Sequence, residues 1–205
     1  MDDRIASRVL LATSNEGKLD EFRRLVPSEI EVVSLSSFQV DLPPETGATF
    51  EENARIKAET ASAATGLLAL ADDSGLESDT LNGAPGILSA RFSGEPVDPA
   101  RNRARVLDTL KNVEGSNRSA RFRCAVALAR DGRTIATSNG TIEGSIAFQE
   151  RGTYGFGYDS IFLIEDGRSL AEVSPVEKDQ ISHRAQAFRA ILPSLFEALA
   201  LPVPS

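Results

Sequence analysis

The 205-residue sequence predicts an α/β fold. Three observations carry that expectation. The apolar run Val9–Ala12 is followed by turn chemistry and then by helically spaced apolar residues from Lys18 onward. A capped helix opening at Thr49 leads into a second short apolar run, Leu67–Ala71. An alternating run, Arg121–Leu128, turns back on itself at Asp131-Gly132. With no repeat and no linker between them, these segments read as one α/β unit.

Each element has a local reason. Val9-Leu10-Leu11-Ala12 has the composition of a buried strand, Thr13 to Gly17 a turn, and Lys18–Val26 a helix. Ile30–Leu35 reads as a second strand. Pro43 and Pro44 force a loop, because neither can sit in a helix interior. Thr49 and Glu52 form a capping box for a helix reaching about Thr65, just before Gly66. Leu67–Ala71 is expected to be a short strand closed by the turn formers Asp72-Asp73-Ser74-Gly75. Asp98-Pro99 starts a helix expected to run to about Val113. Phe122, Cys124, Val126 and Leu128 share one face of the next strand, and its hairpin partner starts at Thr134. A glycine-rich aromatic stretch, Gly152–Asp159, precedes a strand over Ile161–Ile164. Ser174-Pro175 caps a short helix, Ser182 caps the last, and Pro193 should kink or break that last helix.

Composition and charge exclude several classes. A chain this long buries roughly 70% of its unfolded surface, so it needs no staple. Thirty acids against twenty-two Lys and Arg leave a net charge of −8, which argues against a nucleic-acid or anionic-membrane surface. One cysteine excludes an internal disulfide, and one Cys with one His excludes the usual zinc sets. No apolar run approaches membrane-spanning length, so a cytoplasmic protein is expected. Cys124 is expected to fill the core.

Six places could carry chemistry, and most also have a plain structural reading. Thr13-Ser14-Asn15-Glu16-Gly17-Lys18 lies between a strand and a helix, where backbone N–H groups and a lysine can hold an anion; it is also an ordinary βα turn. Asn53 and Lys57 share one helix face and could meet a ligand or simply water. Asp72, Asp73 and Ser74 at a strand end could hold a hard cation and an anionic ligand, or just make a turn. Glu45 in its proline-stiffened loop could add a carboxylate. Phe156-Gly157-Tyr158-Asp159 could bracket a flat base, or be an irregular loop. Lys178, His183 and Arg184 make a positive patch near a helix N-terminus, where cations are disfavoured unless something negative is near.

In order along the chain, the segments Thr13-Ser14-Asn15-x-Gly17-Lys18, Glu45-Thr46-Gly47, Thr49-Phe50-x-Glu52-Asn53-Ala54-x-x-Lys57-Ala58, Ala71-Asp72-Asp73-Ser74-Gly75-Leu76, Asn82–Phe92, Phe156-Gly157-Tyr158-Asp159 and Ser182-His183-Arg184 resemble the inosine/xanthosine triphosphate pyrophosphatase family. The resemblance spans Leu11 to about Phe188. It implies hydrolysis of deaminated purine nucleoside triphosphates to monophosphate and pyrophosphate, with Mg²⁺ as cofactor. It implies an elongated mixed β-sheet with flanking helices, two lobes around a central cleft, and a homodimer. By position, residues 13–18 would bind the triphosphate, with Lys18 neutralising it. Glu45 and Asp73 would hold Mg²⁺, and Asp73, beside Asp72, would act as general base. Asn53 and Lys57 would support phosphates or water, and Ser74 would touch substrate. Phe156 to Asp159, Lys178, His183 and Arg184 would grip the base. Ser160 stands where the family usually has proline, and Ala185 where glycine often follows His-Arg. A related pyrophosphatase for another modified nucleotide, or a non-catalytic nucleotide-binding protein, would use much of the same kit.

Overall fold

The structure, a computed structural model, describes residues 7–202. Six strands hydrogen-bond in the order β2-β1-β3-β4-β5-β6, with helices flanking them. They are β1 (Ser7–Leu11), β2 (Ile30–Ser34), β3 (Ala69–Ser78), β4 (Ser119–Arg130), β5 (Arg133–Ile146) and β6 (Phe162–Leu163). The helices are α1 (Glu16–Leu25), α2 (Phe50–Thr65), α3 (Pro99–Thr109), α4 (Pro175–Ile181) and α5 (His183–Ala198). The sheet is mixed: β1 pairs in parallel with both β2 and β3, whereas β5 and β6 are antiparallel. Among the described residues no helix is long and apolar enough to cross a membrane.

The chain divides into two compact units. The first contains the described part of Met1–Asp73, Ala125–Asn139, and the chain from Ala187 onward. Its core combines Val9, Leu10 and Leu11 of β1 with Leu19 and Phe22 of α1, and Phe22 meets Phe188 edge-on at 5.9 Å. Thr49 caps α2 by accepting the Glu52 N–H at 3.1 Å, and Gly66 ends it in the left-handed conformation at φ 70°. The Glu52 carboxylate accepts the Ala48 N–H instead of closing the box on Thr49. Asn53, Ala54, Lys57, Ala58 and Ala61 fall on the buried stripe of α2. Its small alanines let the helix pack closely, and two polar side chains are buried with them.

The second unit contains Ser74–Cys124 and Gly140–Gln186. Its core gathers Leu76, Val106, Leu110, Phe122, Ile146, Tyr158, Phe162 and Leu170. The Arg118 guanidinium is buried there and donates to the carbonyls of Ile146 and Ala147, each at 2.7 Å.

Four local expectations need correction. The strand expected over Leu67–Ala71 does not stop at Asp72; β3 runs from Ala69 through the four turn formers to Ser78. Ladder partners on both sides override turn propensity, and cations answer the two acids. Helix α3 ends at Thr109, and tighter bonds such as Val113 N–H to the Leu110 carbonyl replace its last turn. Strand β6 is only two residues, since Asp159–Ile161 forms a 3₁₀ turn. Helix α5 runs through Pro193, held by buried Ile191, Leu195 and Phe196. The hairpin is as read, with Asp131 and Gly132 both at positive φ.

Candidate active site

The first unit gathers acids and lysines around the start of α1, the loop before α2, and β3. Asn15 caps α1 by accepting the Lys18 N–H at 3.1 Å, and Thr13 Oγ1 accepts the Asn15 N–H at 3.2 Å. These side chains therefore shape the turn, while Ser14 and Glu16 stay exposed and Gly17 is half-buried in the first helical turn. Glu16 can help an anion only through its backbone, because its carboxylate repels one. Lys18 reaches back to β3, placing its Nζ 3.0 Å from Asp72 Oδ2.

Asp72 and Asp73 are neighbours in sequence but point to opposite faces of the strand. Asp72 answers Lys18. Asp73 faces α2, where the Asn53 amide donates to its Oδ2 at 2.9 Å and Lys57 Nζ lies 3.7 Å from its Oδ1. The same ammonium donates to Glu45 Oε1 at 2.7 Å, so Lys57 is a cation between two carboxylates. Adjacent acids, expected to share a cation, are thus separated by the pleat; the acid that joins Asp73 comes from the loop.

Asn53 also fixes that loop. Its Oδ1 accepts the Gly47 N–H at 2.8 Å, which assigns the amide so that its NH₂ faces Asp73. A Cβ on Gly47 would lie 2.7 Å from Asn53 Oδ1 and from Glu52 Cβ, so glycine is required there. The sequence marks Gly47 as part of a motif, but nothing local reveals that it carries the loop onto Asn53.

Burial pushes the Asp73 carboxyl above the ordinary carboxylate range; Lys57, Lys18 and the Asn53 N–H oppose this, and Glu45 adds to it. Burial alone would lower Lys57, but Asp73, Asp72 and Glu45 outweigh it and hold the ammonium charged. In the metal-free protein Asp73 is therefore expected to take up its proton above 3.8, the ordinary value. Folding favours its protonated form, so the stabilisation is complete below 3.8 and is lost as pH rises through the folded value. Carboxyl-carbon NMR titration checks this; a midpoint at or below 3.8 contradicts it.

Among the described residues no group of three or more His, Cys, Asp or Glu side chains is placed to hold a metal alone. Glu45 and Asp73 nevertheless converge on one positive centre, the Lys57 ammonium. Two hard carboxylates, completed by phosphate oxygens and water, are a donor set suited to Mg²⁺. The residues present fit that ion.

The second unit gathers the aromatic and basic residues. Asp159 folds its own loop: its Oδ2 accepts the Phe156 N–H at 2.8 Å and pairs with Lys178 at 2.5 Å. Gly155 is needed because a Cβ there would collide with that carboxylate. Tyr158 turns inward and donates to the Ser89 carbonyl at 2.7 Å, with burial raising its hydroxyl pKa. His183 is buried and stacks on Phe122, ring centres 4.8 Å apart. Phe156 is half-buried, with Lys178 Nζ 5.1 Å and the Arg184 guanidinium 5.7 Å from its ring centre. Arg184 also donates to Ser74 Oγ at 2.8 Å. The structure thus joins Phe156, Lys178, Arg184 and Ser74 through direct contacts, while Tyr158 and His183 lie against the core. Ser89, which receives Tyr158, carries no local signal of that role in the sequence.

A model of the Ham1 family matches residues 9–194 of the chain. The chain is 47% identical over 195 residues to a protein of Bacillus licheniformis named dITP/XTP pyrophosphatase, covering 93% of this chain and 98% of that one. A Bacillus subtilis protein of the same name is 45% identical over 198 residues, covering 95% and 99%. Among solved structures, a HAM1 protein from Coxiella burnetii matches with TM-score 0.84 at 42% identity, over 93% of this chain and 99% of that chain. The Ham1 protein of Staphylococcus aureus matches with TM-score 0.81 at 37% identity, over 94% and 100%.

Proposed function

The chain belongs to the Ham1 family, and on that premise we propose that it hydrolyses the deaminated purine nucleotides dITP, XTP and ITP to monophosphate and pyrophosphate. Water adds an oxygen to the monophosphate as the anhydride between the α- and β-phosphates breaks. The observation that carries this reading is the cation held between Glu45 and Asp73, with Asn53 fixing both the loop and the carboxylate.

Each residue then has a task. The first turn of α1 and Lys18 bind the triphosphate, and Lys18 exchanges part of its contact with Asp72 for phosphate oxygen. Asp73 accepts a proton from the attacking water. Lys57 steadies Glu45 and Asp73 and stabilises charge on the phosphates. Glu45 and Asp73 would hold Mg²⁺, which when bound spreads the charge of the triphosphate and of the leaving pyrophosphate.

Base selection rests on Phe156, Lys178 and Arg184. The ring offers a stacking face, and the two cations offer donors only. Hypoxanthine and xanthine present a carbonyl at C6 that accepts from such donors. Adenine presents an amino group there, so donor meets donor and binding is lost by orders of magnitude.

Pyrophosphate release from dITP, XTP, ITP, GTP, ATP and dUTP, with Mg²⁺ and with EDTA, tests the proposal. The expected result is metal-dependent release, greatest for dITP, XTP and ITP. Equal release from ATP or dUTP overturns the base assignment, and release in EDTA overturns the metal.

A further inference from the structure

We propose that Arg103, on α3, is a positioning residue that fixes the loop bearing Phe156 and thereby sets the affinity for the base of the substrate. The proposal rests on the nucleotide reading above. Arg103 lies outside every sequence motif and is one of three arginines, with Arg101 and Arg105, on its helix. Its Nη1 donates to the Gly157 carbonyl at 3.0 Å, across 54 positions of sequence. Its Nε donates to Glu150 Oε2 at 2.9 Å, and Ser160 Oγ donates to the same oxygen at 2.9 Å. Glu150 and Ser160 flank the loop, so one guanidinium ties its middle to both of its ends. A rigid planar fork suits this, because it serves two acceptors at a fixed angle.

The residue before Arg103 works on the same loop by another route. Asn102 donates to the Ala90 carbonyl at 2.8 Å and accepts the Ser93 N–H at 2.6 Å. It thereby holds the segment whose Ser89 carbonyl receives Tyr158. Consecutive residues of α3 therefore secure consecutive residues of the loop, Gly157 directly and Tyr158 through Ser89. Phe156 comes next, with Lys178 and Arg184 near its ring. Gly157 sits at φ +60°, and a glycine-containing loop of this kind has other conformations open to it unless its carbonyls are held. The two hydrogen bonds to Glu150 outweigh its burial and keep its carboxyl below the ordinary range, so the anchor stays charged at neutral pH.

Arg103→Ala and Arg103→Lys are compared with the parent, using dITP as substrate and tripolyphosphate, which has no base, as competitive inhibitor. Losing the charge-assisted bonds is expected to raise the KM for dITP about tenfold in Arg103→Ala. The kcat stays within about twofold, because no group at the phosphates has moved. The inhibition constant of tripolyphosphate is unchanged. Lysine reaches one acceptor and not both, so Arg103→Lys falls between. An unchanged KM, or a KM and inhibition constant that rise together, overturns the proposal. Should the parent release no pyrophosphate from dITP, the nucleotide reading fails instead, and amide hydrogen exchange over residues 153–160 decides. Faster exchange there in Arg103→Ala upholds the clamp, and unchanged exchange overturns it.

Discussion

Asp73→Asn is expected to lower kcat for dITP by about 10³-fold while leaving the protein folded, the usual scale for removing a positioned general base. The substitution keeps the shape of the side chain, and its carbonyl oxygen can still accept the Asn53 amide that now reaches Asp73 Oδ2. It removes the proposed proton acceptor and one carboxylate of the proposed metal pair together. Burial makes the ionised form of Asp73 unfavourable, so a neutral side chain at this position should unfold no earlier than the parent at neutral pH. Steady-state kinetics with a thermal melt check both halves. A variant with parental turnover removes Asp73 as base. A variant inactive because it has unfolded leaves a lower Tm, which the melt reports.

Lys57→Met should have the largest effect on stability. The ammonium has its side chain 9% exposed between Glu45 and Asp73, and methionine fills a similar volume without charge. Two carboxylates then face each other with no counter-ion between them. Removing one partner of such a buried set costs about 3–5 kcal/mol, far more than an exposed ion pair. For a chain of this size that lowers Tm by roughly 10 °C. The sign with pH is fixed by the raised Lys57 pKa: its contribution is complete below 10.5 and is lost as pH rises through the folded value. Parent and variant should therefore converge in stability at high pH. Mg²⁺ should raise the Tm of the variant more than that of the parent, since a divalent cation can take the vacated charge. Melts across pH, with and without Mg²⁺, decide; a variant as stable as the parent at pH 7 would mean the three charges are solvated and independent.

These two variants also show where sequence and structure part. The capping of α2 was readable because Thr49 and Gly66 obey local rules, and local rules decide helix ends; only the Glu52 carboxylate departs, turning to the Ala48 N–H. The hairpin was readable because Asp131-Gly132 is chemistry for a two-residue turn. The course of β3 was not. Asp, Ser and Gly favour turns when nothing competes, and the competitors here are neighbouring strands far away in sequence. The division of labour between Asp72 and Asp73 follows from the same misreading: in a turn the two could point one way, whereas on a strand they cannot. Pro193 misleads for a related reason, because buried neighbours hold α5 together where local preference would end it.

The burial of Asn53 and Lys57 lay between these cases. Their shared helix face follows from spacing, but only packing tells whether that face meets water or protein. In the aromatic loop, glycines signal unusual backbone, yet which aromatic turns inward depends on Ser89, about seventy positions earlier.

A strand with neighbours on both edges is among the last parts of a protein to open, and β3 lies between β1 and β4. Asp72 and Asp73 are mounted on it, so they are the stationary part of the proposed site. The stretch around Glu45 is instead a loop, tied back by the Gly47 N–H to Asn53, the Ala48 N–H to Glu52 and the Lys57 ammonium to Glu45, so it can open without the sheet opening. Opening of such a loop belongs to the microsecond-to-millisecond scale and not to the slower scale on which a central strand is released.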